Sequence, residues 1–293
     1  MKTMTPAAPA KPEQLTDAYL RETVVDALVE DLGPDLTDVT TDAVVAPGLC
    51  AEAEVRAKGP GVVAGLPVAD EVFRQVDPDV AFDPALTDGA TVEAGTLLAT
   101  VSGQLSSLLR SERVALNFLQ QLSGVATLTR RYVEAAGTGA AVLDTRKTVP
   151  GLRPLQRYAV LAGGGVNHRY NLAGGVLIKD NHVAAAGGTA AAIRLARRSG
   201  RPIEVEVENL DQLEAALGEG ADAVLLDNMT PAEVTEAVRR SAGRALLEVS
   251  GGVTLATIAQ YAATGADRIS VGALTHSAPA LDISMEVIRT WQE

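Results

Sequence analysis

The stretch Ile203–Gly252, IEVEVENLDQLEAALGEGADAVLLDNMTPAEVTEAVRRSAGRALLEVSGG, decides the fold. Short runs rich in Val, Ile and Leu begin at Ile203, Ala223 and Leu246, and amphipathic segments fill the gaps between them. A further run begins at Arg268, so successive runs start 20, 23 and 22 residues apart. Strands that alternate with helices at this spacing are typical of βα units with a parallel sheet. The sequence therefore predicts a parallel α/β barrel.

Two earlier runs extend this repeat, one near Val142 (VLD) and one near Val176 (VLIK). The total is six strands, whereas a complete barrel of this kind has about eight. We therefore expect a partial or irregular barrel, with helices between its later strands at 211–217, 231–241 and 254–264.

The part of the chain before residue 140 follows another pattern, typical of mixed α and β structure. Thr16 is a candidate N-cap for a helix that Gly33 and Pro34 end, and Leu105–Ala136 is the longest helical pattern, with Gly124 as a candidate break. The polar segment Glu30–Asp42 is expected to be either a solvated loop with capping Asp and Thr or a structural contact with the second domain. Short strands are predicted at 44–45, 53–57, 62–63, 80–82, 91–92 and 97–101.

Composition excludes several classes of protein. No stretch holds 18 uninterrupted apolar residues, so a transmembrane helix is not expected. Residues 1–12 lack the apolar region of a signal peptide and are expected to be a disordered tail, which favours a cytoplasmic protein. The single cysteine, Cys50, excludes an internal disulfide framework and a Cys-based zinc site, and we expect it to be buried.

The distribution of charge predicts a local site for an anion. The chain has 25 Lys and Arg against 37 Asp and Glu, a net charge of −12. Between Leu105 and His182, however, ten basic residues face four acidic ones. Local charge opposed to the net charge indicates a pocket for an anionic ligand. It does not favour nucleic acid, because the surrounding acidic surface would repel a polyanion.

Polar residues follow each predicted barrel strand, at the end where barrels carry their active sites. Their convergence predicts a single site. The strand ends bring Asp144, Thr145, Arg146 and Lys147; Lys179, Asp180, Asn181 and His182; Glu204, Glu206 and Glu208; Asp227 and Asn228; Glu248, Ser250, Gly251 and Gly252; and Ser270 and Gly272.

Side-chain chemistry suggests what these ends bind. Glycines before a helix near Thr254 suit a phosphate, although they could equally serve as turn residues. Glu206 and Asp227 could share Mg²⁺ or pair with basic residues of the barrel. The cation cluster, defined as Arg146, His168, Arg169 and Lys179, suits a dicarboxylate because guanidinium groups bind carboxylates in a bidentate fork. Lys179 has a rival interpretation as a Schiff-base lysine.

Several segments together resemble a known family. They are SERVALNFLQQLSGVAT, DTRKTVPGLR, LAGGGVNHRYNL, IKDNH, IEVEVEN, LLDNM, EVSGGV and VGALTHS. In this order they resemble quinolinate phosphoribosyltransferase, a pentosyltransferase also called nicotinate-nucleotide pyrophosphorylase (carboxylating). The resemblance extends from about Thr16 to Ile288. Val149 is a mild departure from the family pattern.

The resemblance implies an α/β fold with an N-terminal α/β sandwich domain (13–122) and an incomplete parallel α/β barrel (123–277), with a C-terminal helix (278–293) packing back on the first domain. It also implies a cytoplasmic homodimer with active sites shared between chains. The implied reaction converts quinolinate and phosphoribosyl pyrophosphate to nicotinate mononucleotide, pyrophosphate and CO₂ with Mg²⁺, for NAD biosynthesis.

The resemblance also implies roles for individual residues. Lys147, Lys179, Glu206 and Asp227 would be catalytic, and Glu206 with Asp227 would hold the metal. Quinolinate would be bound by Arg146, His168, Arg169, Lys179 and, from the other chain, Arg113. The phosphoribosyl group would be bound by Lys147, Glu206, Asp227, Ser250, Gly251, Gly252 and Gly272.

Three rival functions stay open at this point. The chain could act on another base, such as nicotinate without decarboxylation, although two arginines and a histidine favour a diacid. It could be a Schiff-base lyase built on Lys179. It could also be a barrel that binds phosphorylated sugars without catalysis.

Overall fold

A computed structural model describes residues 9 and 11–292 of the chain, so most of the predicted tail at 1–12 lies outside the described residues. The helices are α1 (Asp17–Leu32), α2 (Val39–Val44), α3 (Leu66–Val76), α4 (Leu105–Ala136), α5 (Arg153–Ala162), α6 (Asp180–Ala186), α7 (Thr189–Ala196), α8 (Leu210–Gly218), α9 (Pro231–Ser241), α10 (Ile258–Ala262) and α11 (Ala273–His276), with a 3-10 turn at Arg197–Ser199. The strands are β1 (Leu49–Ala57), β2 (Gly61–Val62), β3 (Ala81–Pro84), β4 (Thr91–Val92), β5 (Leu97–Gln104), β6 (Ala141–Leu143), β7 (Val176–Ile178), β8 (Ile203–Val207), β9 (Ala223–Asp227), β10 (Leu246–Ser250), β11 (Arg268–Ser270) and β12 (Ile283–Gln292).

The chain divides into two compact units, each built from segments that are not continuous in sequence. The first unit holds residues up to 128, 149–164 and 277 onward, and the second holds 129–148 and 165–276.

The first unit contains a four-stranded antiparallel sheet in the order β12-β1-β5-β3. Its core includes Phe73, Leu98 and Leu119, all nearly or fully buried. The predicted first helix is confirmed, because the Thr16 hydroxyl accepts a hydrogen bond from the Tyr19 N–H at 3.1 Å and the helix ends at Gly33. The predicted burial of Cys50 on β1 is also confirmed.

Four sequence expectations in this unit are wrong. The described part of 278–293 is not a helix but holds β12, which pairs antiparallel with β1 from Leu49↔Gln292 to Ala57↔Ile283. Its β-branched and aromatic residues suit this pairing, and the hydrogen bonds of β1 override any helical preference. The strand predicted at 44–45 is absent, because Val44 is the last residue of α2 and Val45 caps it; the helix starts inside the predicted loop. Asp38 caps α2 by accepting hydrogen bonds from the Thr40 and Thr41 N–H groups.

Gly124 does not break α4, which runs unbroken for 32 residues. A Cβ atom at this position would lie 3.0 Å from the Cα of Ala280. Glycine therefore permits a close backbone approach within the first unit, and the helix continues through it.

The second unit contains six parallel strands in the order β6-β11-β10-β9-β8-β7. All six strands predicted from the sequence are confirmed. Within the described residues β6 and β7 are the two ends of this sheet, so the barrel is incomplete, as predicted. Asn209 caps α8, and Thr230 forms a capping box with Glu233 at the start of α9. The predicted α/β fold class is confirmed.

No helix among the described residues is both long enough and apolar enough to span a membrane.

Candidate active site

One cavity of about 600 Å³ in the second unit collects most of the predicted site residues. It lies at the carboxyl ends of the barrel strands, where βα barrels carry their active sites. The predicted site residues that line it are Arg146, Lys147, His168, Arg169, Lys179, Glu206, Asp227, Ser250, Gly251 and Gly252. Of the predicted site residues, Arg113 and Gly272 are not among its lining.

The two arginines of the cavity lie close enough to affect one another. Burial and the neighbouring charge of Arg146 lower the pKa of Arg169 below its ordinary value. One guanidinium nitrogen of Arg169 (Nη1) donates to the Gly175 carbonyl at 2.7 Å, which fixes the direction of the side chain. Two guanidinium groups held together in this way favour a ligand with two negative charges.

Lys179 forms an ion pair with Glu206, whose side chain is 12% exposed. An ammonium group paired with a carboxylate suits electrostatic binding better than nucleophilic attack, which needs a free electron pair. This contact therefore disfavours the Schiff-base interpretation of Lys179.

Glu206 and Asp227 form an acidic pair that fits a divalent cation. Burial and then the negative charge of Glu206 raise the pKa of Asp227, while Lys179 opposes the shift. Two carboxylates that repel each other gain stability when a cation lies between them, and Mg²⁺ takes one or two carboxylates together with phosphate oxygens. The donor set of this chain therefore fits Mg²⁺.

The loop after β10 presents backbone to the cavity through Ser250, Gly251 and Gly252. Gly251 and Gly252 have φ of +92° and +60°, a region that favours glycine. Asn228, itself at φ +55°, donates from its backbone N–H to the Ser250 carbonyl at 2.9 Å. Successive glycines in such a loop leave backbone N–H groups open to an anion.

The helix predicted at 254–264 is shorter than expected, since α10 spans only Ile258–Ala262. A threonine turn precedes it, in which the Thr254 N–H donates to the Thr257 hydroxyl at 3.0 Å. The glycine loop is therefore not the start of a helix, and its anion-binding capacity rests on the loop backbone.

Gly272 lies beside Lys147 at the edge of the site. A Cβ atom there would lie 3.1 Å from Lys147 Cδ and 3.2 Å from His276 Nε2. The Thr275 hydroxyl donates to the Lys147 carbonyl at 2.7 Å and holds the lysine backbone. Glycine at this position leaves room for the lysine chain, and a direct role with phosphate stays a prediction.

His168 is held from three directions. Its Nε2 lies 3.3 Å from Glu204 Oε2 and 3.3 Å from Glu248 Oε1, and its backbone N–H donates to the fully buried Asp144 at 2.7 Å. The sequence placed Glu248 among the polar strand ends but assigned it no role. Its position as the single acid in the run LLEVS was the signal that could have revealed one.

Arg113 is an exposed residue on α4 in the first unit. It therefore does not belong to the residues that the second unit brings together, and its role in substrate binding stays a prediction.

An open α/β barrel with a cationic, glycine-edged pocket defines a class of proteins that bind phosphorylated anionic molecules at the strand ends. Within that class, two family models match nearly all of the chain: quinolinate phosphoribosyl transferase, N-terminal domain, at residues 38–123, and its C-terminal domain at residues 125–286. The chain therefore belongs to the quinolinate phosphoribosyltransferase family.

Individual relatives agree with this assignment. The chain is 46% identical over 277 residues to the nicotinate-nucleotide pyrophosphorylase [carboxylating] of Mycobacterium leprae, covering 91% of this chain and 96% of that protein. It is similar to the crystal structure of NadC from Streptococcus pyogenes at 41% identity and a TM-score of 0.90, covering 95% and 99% of the two chains. The nicotinate-nucleotide pyrophosphorylase from Francisella tularensis gives 37% identity and a TM-score of 0.89, covering 93% and 97%.

Proposed function

We propose that this protein transfers the phosphoribosyl group of phosphoribosyl pyrophosphate to quinolinate. The products are nicotinate mononucleotide, pyrophosphate and CO₂, a step of NAD biosynthesis. The observation that carries the proposal is the gathering of Arg146, Arg169, Lys147 and Lys179 in one cavity with an acidic pair and a glycine loop. Such a cavity suits a dicarboxylated ring beside a phosphorylated sugar.

The cationic residues bind and orient the two substrates. Arg146 and Arg169 bind the carboxylates of quinolinate with His168 beside them, and Lys179 contributes positive charge beside Glu206. Ser250, Gly251 and Gly252 hold the 5′-phosphate through backbone N–H groups. Glu206 and Asp227 accept hydrogen bonds from the ribose hydroxyls.

The chemistry needs positioning more than proton transfer. The bond between the anomeric carbon and pyrophosphate breaks, and the ring nitrogen forms a new bond to that carbon. The nitrogen then carries positive charge, so the adjacent carboxylate leaves as CO₂. The electron pair of the broken C–C bond stays on the ring carbon, where it then binds a proton from solvent. Lys147 stabilises the departing pyrophosphate, a kind of contribution worth about 10²–10³ in rate for a single donor.

Glu206 and Asp227 are the residues that would hold Mg²⁺. The bound ion would offset the negative charge of the pyrophosphate, which the two carboxylates alone would repel. Removal of metal with a chelator, followed by titration with Mg²⁺, tests this requirement. Full activity in metal-free buffer would contradict it.

The test of the reaction itself uses quinolinate labelled at the 2-carboxylate. Labelled CO₂ and nicotinate mononucleotide should appear in equal amounts, and only when phosphoribosyl pyrophosphate is present. Turnover of nicotinate but not quinolinate would instead establish a transferase for the monoacid. An adduct trapped by borohydride at Lys179 would support a lyase, and binding of both substrates without product would support a non-catalytic barrel.

We also propose a cytoplasmic homodimer in which Arg113 of one chain contacts the quinolinate bound by the other. The exposure of Arg113 on α4 supports this role. Arg113→Ala and Lys179→Ala should each be inactive alone, whereas each mixed dimer should regain about one working site. When the chains exchange at random, half of the dimers are mixed, so about one site in four works in the whole sample. No recovery in dimers that exchange subunits would contradict a shared site.

A further inference from the structure

A buried acidic clamp, defined as Glu204 and Glu248, surrounds the imidazole of His168. Glu204 lies on β8 and Glu248 on β10, with β9 between them in the sheet. The side chains of Glu248, Glu204 and His168 are 1%, 11% and 14% exposed. The Ser270 hydroxyl on β11 donates to the same Glu248 oxygen that faces His168. Residues of two strands therefore contact one ring nitrogen, and a third strand holds Glu248.

The clamp requires a positive charge between its carboxylates. Glu204 Oε1 and Glu248 Oε2 are both buried without a hydrogen-bond partner in the described part of the chain. Two buried carboxylates are costly unless a cation or a proton compensates them. The ligand atoms of the three residues lie within 4.8 Å of one another, so either a metal ion or a protonated imidazole could supply the charge.

The surroundings of His168 favour the proton. Burial opposes a charged imidazole, but hydrogen bonds to Glu204 and Glu248 and their negative charges outweigh it and raise the pKa of His168 to about 9. The Arg169 N–H lies 2.6 Å from Nδ1, a contact that favours a neutral ring with its proton on Nε2. The negative charges of two carboxylates favour the protonated imidazole more than one backbone N–H disfavours it, so the pKa of His168 is raised. Both contacts agree that Nε2 carries hydrogen.

His168 in turn connects the two segments that carry the arginines. Its backbone N–H donates to Asp144, two residues before Arg146, and its ring lies against the backbone of Arg169. His168 therefore joins the segment that carries Arg146 to the backbone of Arg169.

We propose that Glu204 and Glu248 are positioning residues that hold His168 through its Nε2–H, and thereby set Arg146 and Arg169 for a dicarboxylated pyridine. This inference rests on the proposed function for its kinetic consequences. Glu248 and His168 line the same cavity as Arg146 and Arg169, and the imidazole is in contact with both clamp carboxylates. The clamp acts through His168 and binds no metal.

Glu248→Gln and Glu204→Gln test the clamp, because the amide keeps the shape and removes the charge. KM for quinolinate should rise about tenfold or more, the loss expected when a hydrogen bond to a charged group is weakened. KM for phosphoribosyl pyrophosphate and kcat should change less than about twofold, because the glycine loop and Lys147 lie outside the clamp. The matched control is Glu214→Gln, which removes an exposed carboxylate of the same barrel that pairs with Arg240 and Arg244.

The pKa of His168, measured by NMR of the imidazole, gives a readout that does not need activity. The chain has three histidines, so His182→Gln and His276→Gln assign the signals. The charged groups that face His168 are Glu204, Glu248 and Arg169, with Asp144 at its backbone. In either clamp variant the pKa of His168 should fall by about one unit, a tenfold shift in protonation.

Three outcomes would overturn the inference. One is an unchanged pKa of His168 in both clamp variants. Another is an equal rise in KM for both substrates, the sign of a general structural defect. The third is one bound metal ion per chain that is lost in Glu248→Gln and Glu204→Gln. If Glu248→Gln does not fold, Glu204→Gln carries the test. If wild type does not convert quinolinate, the proposed function fails, whereas the NMR titration still decides the clamp.

Discussion

Gly251→Ala and Gly252→Ala should separate the structural role of the glycine loop from its role in binding. A Cβ atom at Gly251 would lie 2.7 Å from Asn228 Cγ and 2.8 Å from the Asn228 backbone nitrogen. That nitrogen is fixed by its hydrogen bond to Ser250. At Gly252 no atom lies within 4 Å of the added Cβ. The methyl group of Gly251→Ala would therefore overlap Asn228, whereas the methyl group of Gly252→Ala would lie in open space.

The two variants should differ in stability for this reason. Left-handed backbone costs alanine about 1–2 kcal/mol, and the smaller entropy of the unfolded chain returns about 0.4–1 kcal/mol. At the middle of these ranges Gly252→Ala should lose about 1 kcal/mol. Gly251→Ala adds an overpacking cost of about 1–3 kcal/mol, so its loss should be about 3 kcal/mol at the middle of the range. At about 2–4 °C per kcal/mol, its Tm should fall by roughly 6–12 °C.

Thermal unfolding and substrate kinetics together test this reasoning. Gly252→Ala should keep the Tm within about 3 °C of wild type and raise KM for phosphoribosyl pyrophosphate, because the new methyl group keeps phosphate away from the backbone. Gly251→Ala should lose both stability and binding. Equal Tm values for the two variants would refute the argument from Asn228, and unchanged KM in Gly252→Ala would refute the phosphate site.

Other predictions concern the two units separately. Asp88→Ala should destabilise the first unit by about 3 kcal/mol or more in urea unfolding, because the buried carboxylate accepts hydrogen bonds from the Gly65 and Leu66 N–H groups and the Tyr158 hydroxyl. The pKa of His168, raised to about 9, adds stability that is fully present below about 6.5 and is lost as pH rises through about 9. The unfolding free energy of His168→Gln should therefore change less between pH 6.5 and 9 than that of wild type, and parallel curves would contradict this. Glu206→Gln should raise the Mg²⁺ concentration for half-maximal activity about tenfold or more, and an unchanged metal profile would reject Glu206 as a ligand.

The barrel could be predicted because short runs rich in Val, Leu and Ile recur at a regular spacing with amphipathic segments between them, and all six strands were found. Their carboxyl ends could be placed together because parallel strands share one direction. The alternation of β8 also placed Glu204 and Glu206 on the same side.

The remaining structure depends on partners that are distant in sequence. The helix expected at 278–293 is β12 because β1, more than 200 residues earlier, supplies its hydrogen bonds. The contact of His168 with Glu248 depends on the curvature of the sheet between β8 and β10. No local sequence pattern specifies that curvature. Local capping explains α2, and Asp38 was the signal that could have revealed it.

The pairing of β12 with β1 has a consequence for how the protein is made. On the ribosome, β1 and β5 emerge early, but the strand that completes their sheet follows only after the whole barrel has been synthesised. Until then the free edge of β1 can accept another strand, including one from a neighbouring nascent chain. Folding of the first unit therefore finishes late, and a chaperone that shields this edge during translation should increase the yield of native enzyme.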